Sequence, residues 1–225
     1  MNLKRLPTTR ISEKTYYRII RTRIPSKELY DEISDNPEET LLLHEIESLT
    51  NPRVRQEKGE ISVAAREDRL TGAGSSLIMA PFAHVNPEGS RFSDGTYGVF
   101  YAGDSIHTAI EETVYHSIRF LLFTQEEAME FYMRVLSVSL TGELHDIRGR
   151  KMPDIYDPED YGKSSSFGRK LRDQDSIGII YDSVRNPGGE CVAVFRPRVL
   201  KNCREMKTLL YQWDGESIQV FERIR

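Results

Sequence analysis

Three side chains of unlike chemistry stand at near-regular intervals between Gly89 and Thr113: Arg91, Tyr101 ten residues on, and Glu112 eleven beyond that. A guanidinium is a planar donor suited to phosphate or carboxylate oxygens. A phenol ring offers its face to a flat or cationic group, and a carboxylate can accept from a hydroxyl or steady a developing positive charge. The elements that carry them decide whether they meet. A Gly-rich turn bears Arg91, TYGVFYA (96–102) reads as a strand ended by Gly103, and Asp104 or Ser105 caps a helix running through IHTAIEETVYHSIRFLLF. Turn, strand and helix follow one another so closely that all three residues can border one cleft.

On a helical projection, Ile106, Ala109, Ile110, Val114, Ile118 and Leu121 form one apolar stripe. Glu112 lies almost opposite it, with Thr108 and His116 on its own face at i−4 and i+4. Taken by itself, this strip of hydroxyl, carboxylate and imidazole reads first as a solvated helix face with one weak pair; it is the neighbouring Arg91 and Tyr101 that turn the reading toward a site. Arg91 could simply tie down its turn, and Tyr101 could be a core aromatic with a surface hydroxyl.

Around this centre the chain is rich in strands. TYYRIIR (15–21), MEFYMRVLSVSL (129–140), SIGIIYDS (176–183), GECVAVFRP (189–197), MKTLLYQW (206–213) and SIQVFERI (217–224) all read as strands. The last two are predicted to form a hairpin across Asp214 and Gly215. Asn36, Pro37 and Glu39 form a helix entrance for LLLHEIESL, and residues 26–70 read as a helical or irregular insertion or lid. DPEDYGKSSSFGRKLRDQ is a loop leading into a helix; its Ser164, Ser165 and Ser166 suit a phosphate-holding loop less well than a linker. Strands outnumber helices without regular alternation, which predicts an α+β domain, strand-rich with flanking helices, rather than a doubly wound parallel sheet. The 225 residues are expected to form a single domain.

Composition narrows the function classes. With 38% apolar and 29% charged residues and a formal charge of −4, the sequence argues against disorder, a membrane span or a phosphate-backbone track. The longest nearly apolar run, FLLF at 120–123, is far short of a bilayer. The first residues lack a secretory h-region, so a cytoplasmic location is expected. Cys191 and Cys203 are too few and wrongly spaced for a disulfide framework or a zinc site. The five histidines show no metal-ligand spacing, so no metal is expected. Gly72 and Gly74 lack the third glycine and preceding strand of a dinucleotide fingerprint.

The blocks GSRFSDGTYGVFYA and TAIEETVYH, with IIYDSVRNPGGECVAVFRP downstream and YYRI at 16–19, resemble the RES domain family, whose name records an Arg, a Glu and a Ser. The resemblance covers 71–123 and 176–197 well, and it weakens over 26–70 and much of 141–175. It implies a fold like that of the mono-ADP-ribosyltransferase toxins and an activity that consumes NAD. It also implies a place as the toxin of a toxin–antitoxin pair, with an Xre-like helix-turn-helix antitoxin as partner. A homodimer is compatible with the family, although no patch of sequence argues for one.

For that chemistry the resemblance implies Glu112 as the carboxylate that holds a ribose hydroxyl and stabilises an oxocarbenium-like sugar. Arg91, with Arg18 on the first strand as the alternative, would hold the pyrophosphate. Tyr101 would face the nicotinamide ring, and Ser183 would hydrogen-bond the ribose or the amide. The competing expectation is a non-catalytic module that binds a nucleotide or a partner. It keeps Arg91 and Tyr101 as contacts and leaves Glu112 dispensable. In that setting Ser183 would satisfy only its strand end.

Overall fold

A computed structural model describes residues 6–22 and 66–222. Among these residues the chain forms a seven-stranded mixed sheet and three α-helices, an α+β architecture. In chain order the elements are β1 (Thr8–Arg21), α1 (Ser75–Ala83), β2 (Phe100–Gly103), α2 (Ile106–Phe123), β3 (Met129–Asp146), α3 (Gly162–Asp173), β4 (Gly178–Asp182), β5 (Glu190–Val194), β6 (Leu200–Trp213) and β7 (Ile218–Glu222). Single turns of 3-10 helix occur at Arg66–Asp68 and Pro197–Val199. The expected helix entrance at Asn36–Glu39, and most of the proposed 26–70 insertion, lie outside the described residues.

The sheet runs β1-β2-β5-β4-β3-β6-β7, and β1 also pairs with β3 along nearly its whole length. The first five strands therefore close into a ring, from which β6 and β7 extend. β3 and β4 are parallel where His145 meets Ile179, and the other pairings are antiparallel. A bulge in β1 between Ile11 and Lys14 places Glu13 in a left-handed conformation (φ 51°). The predicted β6–β7 hairpin forms as expected. Asp214 accepts from the backbone N–H groups of Glu216 (2.9 Å) and Ser217 (2.7 Å), and Gly215 takes φ 104°.

Among the described residues the core divides into three apolar clusters. Tyr16, Phe100, Leu136, Leu140 and Val192 occupy one; Phe92, Phe167, Ile179, Tyr181 and Phe195 a second. In the third, the α2 stripe of Ile106, Ala109, Ile110, Val114, Ile118 and Leu121 packs on Ile19, Val135, Tyr211 and Trp213.

The ladder begins at Phe100 rather than at residue 96. Asp94 holds Thr96 through its backbone N–H and its hydroxyl, and the buried Tyr97 donates its hydroxyl to the Phe92 carbonyl (2.7 Å). The apolar residues 97 and 99 thus serve the second cluster from a turn. Ser164–Ser166 form neither a phosphate loop nor a linker: they lie in the first turn of α3. Ser164 is fully buried, and its hydroxyl donates to the Tyr161 carbonyl.

Two glycines set the geometry near Arg91, Tyr101 and Glu112. A Cβ at Gly103 would lie 2.9 Å from the Ala109 nitrogen, so only glycine lets β2 end against the first turns of α2. A Cβ at Gly168 would meet the Phe92 carbonyl oxygen at 2.3 Å, so α3 touches the backbone next to Arg91 because it has no side chain there.

Candidate functional site

Ser105 caps α2, accepting from the Thr108 N–H at 3.1 Å. Two turns further along, Glu112 is half-buried. Its Oε1 accepts a hydrogen bond from the Ser183 hydroxyl at 2.6 Å, and the Cys191 Sγ lies 3.8 Å from the same oxygen. The face expected to be solvated is therefore packed at its inner end and open at His116. Thr108 is completely buried and bonded to Asp104, Ser105 and Asn186, while Glu112 and His116 line a cleft of about 650 Å3.

Arg18, Arg91, Tyr101 and Glu112 all border this cleft. Arg91 is buried, with 7% of its surface exposed. One terminal nitrogen donates to the carbonyls of Ile155 (3.0 Å) and Asp157 (2.9 Å), and the guanidinium lies 4.6 Å from the centre of the Tyr161 ring. Arg91 therefore anchors the loop between β3 and α3 while facing the cleft.

That loop is held from outside as well. Tyr115 bonds Pro158 and Glu159, and Arg185 stacks on Tyr115 while donating to the Pro158 carbonyl. Glu159 and Tyr161 reach the cleft as a result.

The Tyr101 hydroxyl is hydrogen-bonded to Ser90 Oγ (2.8 Å) and accepts from the Phe92 N–H (2.9 Å). It thereby pins the turn that carries Arg91. Burial pushes its pKa up to about 12, which keeps it a neutral phenol. Arg18 donates to the Tyr101 carbonyl (3.0 Å) and lies 4.9 Å from the Phe100 ring centre. Burial lowers its pKa to about 10, and it remains a cation at neutral pH. Among the described residues neither Arg18 nor Arg91 forms an ion pair with a carboxylate, which leaves two guanidinium charges available at the cleft.

Ser183 sits behind Glu112 and is not part of the cleft wall. Its oxygen donates to Glu112 and accepts from the N–H groups of Arg185 (3.2 Å) and Asn186 (3.0 Å). Those two donors fix the hydroxyl proton toward the carboxylate. Ser183 thus ties down its strand end and turns its hydroxyl to Glu112, not into the cleft where a bond to the ribose or the amide was expected.

Tyr181 and Cys191 also line the cleft beside Glu112. Burial, followed by the negative charge of Glu112, holds the Cys191 thiol far above its ordinary pKa, so it is a neutral wall rather than a nucleophile. Sequence reasoning passed over Tyr181, Cys191, Arg119, Phe120, Phe123 and Glu159. The helical spacing 112, 116, 119, 120, 123 carried a signal for those on α2. Among the described residues no three His, Cys, Asp or Glu side chains cluster to hold a metal ion, and no helix is long and apolar enough to cross a membrane.

Residues 66–214 match the family model described as the RES domain. An uncharacterized protein of Sinorhizobium fredii, y4oC, is 31% identical over 207 residues, covering 91% of this chain and 85% of the relative. Among solved structures, the M. tuberculosis MbcT–MbcA toxin–antitoxin complex contains a chain that aligns over 92% of this one and 88% of its own length. The sequence identity is 9% and the TM-score 0.46.

Proposed function

The chain belongs to the RES domain family, and on that premise we propose that it consumes NAD by cleaving the bond between nicotinamide and ribose. The observation that carries this reading is a carboxylate, Glu112, oriented by Ser183 at 2.6 Å in the wall of a cleft that also presents two arginines and a phenol. A volume of about 650 Å3 is within the range of small-molecule and cofactor sites.

In this reaction nicotinamide leaves with the electron pair of the carbon–nitrogen bond. The pyridinium thereby becomes neutral, so no general acid is required. Positive charge develops instead at the anomeric carbon. Glu112 accepts from a ribose hydroxyl and opposes that charge, and the Ser183 proton keeps its other face from turning away. Water, phosphate or a protein side chain then donates an electron pair to the same carbon, and any proton it carried passes to solvent.

Arg18 and Arg91, flanking Tyr101, supply two cations for the pyrophosphate. Because one nitrogen of Arg91 already serves two loop carbonyls, Arg18 is assigned as large a share of that task. The Tyr101 ring takes the cationic nicotinamide face. An ADP-ribosyltransferase-like relationship and an Xre-like antitoxin partner follow from family membership as parts of the same reading. Incubating the purified protein with NAD and measuring free nicotinamide tests it. Binding of NAD without release would favour a non-catalytic module.

A further inference from the structure

One stripe of α2 borders the cleft over much of the helix: Glu112, His116, Arg119, Phe120 and Phe123. The helix therefore works as a rail, acidic at its inner end and aromatic at its outer one. Phe120 is 53% exposed and Phe123 88%. The core demand of α2 is already met by its other stripe, from Ile106 to Leu121, so these two rings are not needed to hold the helix down. Two neighbouring phenylalanines left in water at the lip of a cleft are a feature that packing does not explain.

We propose that Phe120 and Phe123 form the seat of the adenine base of the dinucleotide; this rests on the NAD reading above. At 1.5 Å of rise per residue, they stand about 12 and 16 Å along the helix from Glu112. A base separated from the scissile bond by two riboses and two phosphates needs a separation of that order. A purine has two flat faces that stack on aromatic rings without hydrogen-bond readout. The arginines at 18 and 91 then engage the pyrophosphate that joins the two ends. Leu122 is equally bare, at 55% exposure, but lies outside the cleft wall. It therefore separates an effect of the base site from a general effect of trimming surface apolar groups.

The test uses the full chain and compares Phe120→Ala, Phe123→Ala, the double variant and Leu122→Ala on NAD and on nicotinamide mononucleotide, which lacks the adenylate half. The double variant is expected to raise KM for NAD by about five- to a hundredfold, the effect of losing base stacking. Its kcat for NAD, and its kcat/KM for the mononucleotide, should match the parent, and Leu122→Ala should match it throughout. An unchanged KM for NAD, or an equal loss on both substrates, overturns the proposal. So does a change of oligomeric state in size-exclusion chromatography with KM intact, because the patch would then belong to a second copy. AMP binding by calorimetry needs no turnover and separates the two readings. If NAD is not cleaved yet the double variant weakens AMP binding, the base site stands and the reaction falls. If NAD is cleaved and AMP binding is untouched, the base site alone falls.

Discussion

Replacing Ser183 by alanine removes the one hydroxyl among the described residues that donates to Glu112 while leaving the cleft wall intact, because Ser183 is not in contact with the space a substrate would fill. A hydrogen bond to a charged group contributes about 1.5–3 kcal/mol. If the bond positions the carboxylate for the transition state, Ser183→Ala should lower kcat by about 10- to 150-fold. KM for NAD should hardly move, since the ground-state contacts to Arg18, Arg91 and Tyr101 remain. The same oxygen accepts from the N–H groups of Arg185 and Asn186, so the variant should also lose about 1 kcal/mol of stability. For a domain of this size that corresponds to a fall in Tm of about 2–4 °C. The assay is steady-state nicotinamide release together with calorimetric melting. An unchanged kcat, or a loss carried wholly by KM, would refute the idea that Ser183 works through Glu112.

Two further outcomes follow from contacts away from that pair. Arg91→Lys keeps a positive charge but cannot serve two carbonyls while lying flat on Tyr161. It should lose about 1–3 kcal/mol of stability and raise KM for NAD, measured by calorimetry and initial rates. Asp146 bonds Arg148 and Thr9, and its pKa is lowered from 3.8 to about 2, chiefly by the Arg148 hydrogen bond. Its folded pKa lies below the unfolded one, so its stabilisation is fully present above the ordinary carboxylate range and is lost as pH falls toward about 2. Asp146→Asn should therefore be less stable than the parent at neutral pH, with the gap in denaturant midpoint closing over that acid interval.

How much of this was legible in the sequence depended on the kind of interaction. The α2 stripe and the Ser105 cap are local, and periodicity gave them directly. The β6–β7 hairpin declared itself through Asp214 and Gly215. The strand at 96–102 was misjudged at its start because Tyr97 and Val99 look like strand residues, while their burial comes from a turn held by Asp94 and Ser93. Ser164–Ser166 look like loop residues because serine is a weak helix former; the burial of Ser164, with Phe167, Gly168 and Leu171 on the same helix, overrides that preference.

At the site, Arg18, Arg91, Tyr101 and Glu112 were legible as types and do share one cleft. Two things were not legible. Ser183 lies behind Glu112 rather than in the cleft, because its position depends on the Asn186 turn. Tyr181 and Cys191 reach the site only through the pairing of β4 with β5, a long-range register that local pattern does not encode.

If Glu112 carries the chemistry, time-resolved release of nicotinamide from NAD by the parent and by Glu112→Gln will differ, with NAD binding measured alongside. Release by the parent is expected, with a fall of about 10²–10³ in kcat for the variant, the usual effect of removing a charge-stabilising group, and with NAD still bound. Equal rates for the two proteins, or tight NAD binding by a parent that never releases nicotinamide, would contradict that role for Glu112.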